Sequence, residues 1–168
     1  EAMQRERALA EVLQVINASA RVPTAVFDVI LEKVMRLCAA AFGYVMTYDG
    51  ERFQVVASHS LPARFAEYLR NMDQPGSTGL YADIRRGSPY GQVADLREGE
   101  VYRTSPLRRA LVDLGGARTG IVVALRKDDS LLGVITIYRQ EVRPFAHAEI
   151  ALLQNFAAQA VIAIENAR

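Results

Sequence analysis

Apolar residues along this chain follow a helical rhythm toward both ends and gather into short runs rich in Val, Ile, Thr and Leu between. From Met3 to Ala20, the residues Leu9, Leu13, Ile16 and Ala20 recur at spacings of four, three and four, bordered by Arg5, Glu6, Arg7 and Glu11. This is the narrow stripe of an amphipathic helix. Pro23 interrupts it, because the residue before a proline disfavours helical torsions, and Pro23 or Thr24 can then open a second helix. That helix carries Phe27, Ile30, Leu31, Val34, Cys38 and Ala41 on one face, with Asp28, Glu32, Lys33 and Arg36 largely opposite and Gly43 as the expected C-terminal stop. Tyr44 to Tyr48 reads as a strand, Asp49-Gly50 as a two-residue hairpin turn, and Arg52 to Ser58 as the returning strand.

Prolines and glycines crowd the interval from Leu61 to Val101, which predicts an irregular middle. Within it Ala63 to Asn71 and Leu80 to Arg86 read as helical and Tyr90 to Asp95 as a short strand. Ser105-Pro106 supplies an N-cap followed by proline at the first helical position, and Leu107, Leu111 and Leu114 carry that helix to Gly115-Gly116. Arg118 to Arg126 and Leu131 to Tyr138 are rich in Val, Ile, Thr and Leu, with Lys127 to Ser130 as a hairpin loop between two central strands. Phe145 and Ile150 stand at the spacing of a hydrophobic staple with Glu149 at the third helical position, so a last helix runs from about His147 to the end. Two hairpins and flanking helices imply an α+β layer arrangement with an antiparallel sheet.

The last helix is apolar nearly all round. Between Ile150 and Ile164 the polar positions are only Gln154, Asn155 and Gln159, and such a helix must be covered on more than one side. Leu152, Phe156 and Ala163 are expected to face the sheet. Leu153, Ala157, Ala160 and Ile164 are expected to face another helix at coiled-coil spacing. With Leu9, Leu13 and Ile16 they form the expected interface of a parallel homodimer; packing of the two helices within one chain is the competing arrangement.

Length and composition narrow the rest. At 168 residues, 51% apolar and 23% charged, the chain has the makeup of one globular domain with helical extensions. Its 20 basic and 19 acidic residues are spread without a basic face, so no nucleic-acid partner is expected. The single cysteine, Cys38, allows no intrachain disulfide and fits a reducing, cytoplasmic compartment. No run of 18 apolar residues is present and residues 1–7 are mostly polar, so neither membrane contact nor a signal peptide is expected. A start without methionine and an end within a helical pattern lead to the expectation of a fragment. His59 and His147 lack the spacing of a metal site, so no metal is expected, and no Walker loop, GxGxxG or GxSxG occurs.

The closing segments carry a family resemblance. Leu131-Leu-Gly-Val-Ile-Thr-Ile-Tyr138, Arg143-Pro-Phe145, Ile150-Ala-Leu-Leu153 and the run from Phe156 to Arg168 resemble the end of GAF domains, above all those of bacterial sensor histidine kinases and cyclases. Asp49-Gly50, Gly76 to Gly79, Gly87, Val93-Ala-Asp95 and Arg118-Thr119 also fall where similar proteins place comparable residues. The resemblance implies a GAF-like, PAS-related sheet of about five to six strands, with N- and C-terminal helices on one face and an irregular helix and loop segment on the other. It further implies a GAF domain over 22–168, a signalling or dimerisation helix over 1–21, and a helix over 146–168 leading to an output domain such as a kinase or cyclase. Two departures stand out: Val123-Ala-Leu125 replaces a usual Val-Pro-Leu, and Gly91 or Gln92 stands where histidine is frequent.

Some GAF domains hold a bilin on a cysteine, but Cys38 lies on the apolar stripe of a helix, so a covalent bilin is not expected. A methionine sulfoxide reductase of this fold needs several thiols, and the residue set of cyclic-nucleotide-binding GAF domains cannot be placed. What remains is a sensory or regulatory module without catalysis, binding an unidentified small molecule or acting as a ligand-free dimerisation relay. Candidate ligand-binding residues in the irregular middle are Tyr81, Tyr90, Asp95, Tyr102, Arg103, Arg108 and Thr119. Arginines between Arg85 and Arg126 favour an anionic ligand, and the acidic residues sharing that interval weaken the inference.

Overall fold

The structure is a computed structural model, and it describes residues 23–72 and 80–166. The striped segment with Leu9, Leu13 and Ile16, the proposed boundary at 21/22 and the Gly76 to Gly79 turn lie outside the described residues. The elements are α1 (Pro23–Leu37), β1 (Phe42–Tyr48), β2 (Phe53–His59), α2 (Ala63–Arg70), α3 (Leu80–Arg85), β3 (Tyr90–Val93), α4 (Glu100–Thr104), α5 (Pro106–Asp113), β4 (Thr119–Lys127), β5 (Ser130–Arg139) and α6 (His147–Asn166). The five strands form one open antiparallel sheet in the order β2-β1-β5-β4-β3, within the expected five to six. Its fold is α+β, as expected.

Strand alternation gives the sheet two buried faces. Val45, Ile121, Val123, Leu125, Ile135 and Ile137 point to one side, where α1 and α6 cover them. Phe42, Tyr44, Met46, Val122, Val134 and Tyr138 point to the other, under the segment running from α2 to α5. A bulge keeps β2 consistent with both faces: Val45 pairs with Ala57 but Met46 pairs with Val55, so Val56 is the extra residue. Phe53 and Ala57 would share a face in a regular strand, yet the bulge sends them into different cores.

Three local readings need correction. Gly43 does not end α1, which stops at Leu37 with Ala39 taking the left-handed turn at φ 51°. Gly43 lies inside β1, where a Cβ would stand 2.7 Å from the Thr136 carbonyl oxygen. Secondly, the first hairpin loop has four residues, since Tyr48 pairs directly with Phe53. The Asp49 carboxylate accepts from the Glu51 and Arg52 amides at 2.9 and 2.8 Å, so its side chain closes a longer turn than Asp-Gly alone would make. Thirdly, α4 occupies residues at and just past the end of the irregular interval, where no helix is expected. Ser105, extended because Pro106 follows it, ends α4 and caps α5, its Oγ accepting from the Arg108 amide at 3.2 Å.

α6 is covered from within the chain. Ile150, Leu152, Leu153, Phe156, Ala157, Ala160 and Ala163 are all buried among α1 and the strands. Leu153, Ala157 and Ala160 therefore belong to this chain's own core and are not free to meet a second chain; Ile164 is only half-buried. α1 supplies the second covering surface that the apolar circumference demanded. The helix has the length and hydropathy of a membrane span, but here it is a core helix. Its solvent-facing stripe is Ala151, Gln154, Asn155, Ala158 and Ile162.

Candidate functional site

Tyr44, Thr136 and Tyr138 share one face of the sheet because they alternate along paired strands: Tyr44 lies opposite Thr136, and Phe42 opposite Tyr138. Gly120 pairs with Tyr138 from β4, and a Cβ there would stand 2.7 Å from the Tyr138 ring. Glycine at 120 is thus what lets that ring lie across β4. Tyr81 comes from α3, which Arg126 ties to the sheet by donating to the Ile84 carbonyl in the helix's last turn and to the Ser88 carbonyl just beyond its end. Phe53 packs on the Tyr81 ring at 5.6 Å between centroids and Phe42 on Tyr138 at 5.1 Å.

The hydroxyls of these residues form a buried chain. Thr136 Oγ1 bonds Tyr81 Oη at 3.1 Å, Tyr81 Oη bonds Tyr44 Oη at 3.2 Å, and Tyr44 Oη bonds Tyr138 Oη at 3.0 Å. All four side chains are at least 95% buried. Burial pushes the Tyr44 and Tyr138 phenols well above their usual value, and Tyr81 upward as well, so the chain stays protonated and neutral. Beside it lies a cavity of about 40 Å³, lined by Tyr81, Thr136 and Tyr138 together with Ser105 and Arg108 of the α5 N-terminal turn, Gly120, and the apolar Leu96, Val101, Leu107 and Ile121. A cavity of ~10–15 Å³ already admits one water, whereas drug-sized ligands occupy ~300–1,000 Å³. This one suits a molecule of a few atoms.

Of the seven sequence candidates the structure brings two, Tyr81 and Arg108, to the cavity. Thr119 is buried but donates to the Ala94 carbonyl at 2.6 Å and accepts from the Arg143 amide at 2.9 Å, which makes it a structural tie. Asp95 is held by Arg118 in a two-bond pair of 3.1 and 2.9 Å, and that guanidinium lowers its carboxyl below the usual range. Tyr102 donates to Asp113 at 2.8 Å, Arg103 is exposed, and Tyr90 sits exposed on the edge strand. Thr136, Tyr138 and Ser105 of the cavity lining, and Tyr44 of the hydroxyl chain, are not among the sequence candidates. The signal for Tyr44, Thr136 and Tyr138 was the alternation of β1 and β5, which carries hydroxyls where a purely structural strand would carry aliphatics.

On the opposite face, Arg139 is 1% exposed and joins three elements. It donates from Nη2 to the Cys38 carbonyl at 2.6 Å and to Glu149 Oε2 at 2.8 Å, and from Nη1 to the Arg143 and Pro144 carbonyls at 2.7 and 3.1 Å. Its guanidinium also lies 3.9 Å over the Phe145 ring. Glu149 Oε1 in turn accepts from the Ala146 amide at 2.8 Å, half of a capping box that needs no serine or threonine at 146. Burial, reinforced by the Glu149 charge and opposed by Arg139, pushes the Cys38 thiol up to about 12. Cys38 lies in this second core, away from the cavity residues. Among the described residues no group of three or more His, Cys, Asp or Glu side chains is placed to hold a metal ion.

The family model described as GAF domain matches residues 20–165. The chain belongs to the GAF domain family. Similar solved structures include the GAF domain of a phosphoenolpyruvate-protein phosphotransferase from Coxiella burnetii, with TM-score 0.78 at 18% identity, covering 100% of this chain and 96% of that one. The GAF domain/HD domain protein from Geobacter sulfurreducens gives 0.75 at 19% identity, over 88% of this chain and 95% of that one. A phycoerythrobilin-bound GAF domain from a cyanobacterial phytochrome gives 0.69 at 15% identity, over 97% and 95%. No curated protein matches the chain. Within this GAF domain the two departures have structural roles: the Ala124 amide donates to the Pro89 carbonyl at 3.0 Å, a bond proline would forfeit, and Gln92 Oε1 accepts from the Phe145 amide at 2.6 Å.

Proposed function

We propose that this GAF domain is a non-catalytic regulatory module of a cytoplasmic bacterial signalling protein. It binds a small molecule in the cavity beside the hydroxyl chain and passes the change through α6 to an output domain such as a histidine kinase or cyclase. One observation carries the reading: Tyr138 and Arg139 are consecutive residues of β5, the first lining the cavity and the second bonded to Glu149 in the first turn of α6. A one-residue step along a strand changes face, so a displacement of β5 at the cavity is delivered to the base of α6. Thr119 and Gln92 hold the β5–α6 loop to β4 and β3 in the same way. The similarity to GAF domains of a phosphotransferase and of an HD-domain protein supports a regulatory setting. The small cavity speaks against a bilin or nucleotide in this conformation.

The test is hydrogen exchange on the whole chain with Gly120→Ala, which forces the Tyr138 ring aside. Amides in the first turns of α6, from Glu149 to Leu153, are expected to exchange faster, while the middle of α1 is unchanged. Equal exchange in α6 would overturn the coupling. A second reading, a ligand-free relay that holds two chains in register, is favoured by how completely aromatic side chains fill the α2–α5 face. Both readings include a homodimer, for which the solvent-facing stripe of α6 is a surface available among the described residues.

A further inference from the structure

We infer that the cavity takes a small oxyanion, inorganic or a one- or two-carbon carboxylate, with Arg108 as its counter-charge and buried hydroxyls as its donors. The inference rests on the cavity being a ligand site and names the ligand's class. Proton counting supplies the first argument. Thr136, Tyr81, Tyr44 and Tyr138 bring four hydroxyl hydrogens to three mutual bonds, so one hydroxyl always keeps an unused hydrogen. Three of the four, Tyr81, Thr136 and Tyr138, line the cavity. A buried donor without an acceptor costs ~1–3 kcal/mol, and an acceptor in the cavity removes that cost.

The second argument is charge. The cavity lining contains an arginine and no carboxylate, and among the described residues the Arg108 guanidinium enters no ion pair or hydrogen bond. Arg108 is half-buried, and loss of water weakens its hold on its proton, while its positive charge acts on the Tyr138 phenol. A cation drawn partly out of water beside neutral donors favours an anion as partner. Ser105 adds another donor. Its Oγ accepts from the Arg108 amide, so its hydrogen is not needed for the cap. Size completes the case, since about 40 Å³ holds three or four heavy atoms and excludes a ring.

The experiment titrates the whole chain in low-salt buffer with sodium formate, acetate and nitrate, following heat and melting temperature. Formamide and acetamide serve as uncharged controls and benzoate as an oversized one. Saturable binding of at least one small oxyanion is expected, with no binding of benzoate and affinity at least tenfold weaker in Arg108→Gln. Tyr138→Phe is expected to weaken binding less, because another hydroxyl can donate. Formate or acetate alone binding identifies a carboxylate; nitrate alone identifies an inorganic ion. Binding that is unchanged in Arg108→Gln overturns the proposal. Equal binding of the amides also overturns it, while leaving a small-molecule sensor intact. If neither anions nor amides bind, both the anion and the sensor fail and the ligand-free relay stands. Circular dichroism of each variant separates lost binding from lost fold.

Discussion

Arg139→Met removes the side chain that joins β5, the end of α1 and the start of α6. The substitution keeps an unbranched apolar stem but deletes four hydrogen bonds. Two of them reach carbonyls of the exposed residues Arg143 and Pro144, where water can substitute. The loss concentrates on the Cys38 carbonyl, in a fully buried residue, and on Glu149, whose side chain is about 25% exposed. Bonds involving a charged group contribute ~1.5–3 kcal/mol each. Partial solvation of Glu149 lowers that sum, and so does the relief of burying a guanidinium whose Nε already lacks a partner. The expected cost is about 3 kcal/mol. Glu149→Gln keeps one oxygen, enough for Arg139 or the Ala146 amide but not for both, and should cost ~1–2 kcal/mol. The double variant should cost less than the two singles together by ~1–2 kcal/mol, because the second removal strands nothing further. Urea unfolding of the whole chain reads this directly: at a slope of ~2 kcal/mol/M the Arg139→Met midpoint falls by ~1.5 M. Additivity of the singles within ~0.5 kcal/mol would refute the idea that the two side chains act as one unit.

Three further outcomes are expected. Gly133→Ala places a Cβ 2.2 Å from the Met46 carbonyl oxygen, so β1 and β5 must part, and a loss of ~1–3 kcal/mol in urea unfolding is expected. Stability should fall as pH rises above about 9. The Cys38 thiol titrates near 9.0 when unfolded and at about 12 when folded, so between those values the unfolded chain holds fewer protons and the slope reaches ~1.4 kcal/mol per pH unit. Cys38→Ala should abolish the loss below about pH 10, leaving the steeper loss above it that Tyr44, Tyr81 and Tyr138 contribute, each raised from 10.0 by burial. Light scattering at tens of micromolar should give twice the 18.6 kDa chain mass, and Ile162→Glu, at a position 42% exposed on α6, should halve it; a monomer in the wild type rejects the dimer.

The fold was legible wherever one physical signal dominated. The Val, Ile, Thr and Leu content of Leu131 to Tyr138 and the Ser105-Pro106 cap placed β5 and the start of α5 to within a residue or two. Signals that depend on tertiary context were not legible. Nothing local distinguishes Gly43 as a close-packing residue from Gly43 as a helix stop until β5 is seen passing 2.7 Å from its absent side chain. Asp49 looked like half of a two-residue turn because its side-chain bonds to the amides at 51 and 52 are not written in the composition. The site suffered most. Its hydroxyls come from β1, α3 and β5, and only the pairing of Tyr44 with Thr136 brings residues 92 positions apart together. The glycine-rich middle therefore points to Tyr81 and Arg108, which line the cavity, but not to the strands beneath them.

α6 shows how a correct inference from periodicity can carry a wrong assignment. An all-round apolar helix does require two covering surfaces, and it has them in the sheet and α1. The same requirement, applied without knowing where α1 lies, sent Leu153, Ala157 and Ala160 to a second chain. Once α1 has taken that side, what remains toward solvent is Ala151, Gln154, Asn155, Ala158 and Ile162. This stripe is narrower, and small enough at its alanines for another helix to approach closely. Any interface there lies across the sheet from the cavity, and the Arg139–Glu149 contact at the base of the helix is one direct link between the two, beside the packing of α6 on β4 and the ties of Thr119 and Gln92 to the β5–α6 loop. Breaking that contact while leaving the α6 stripe intact should therefore weaken the coupling of the cavity to the interface without abolishing either.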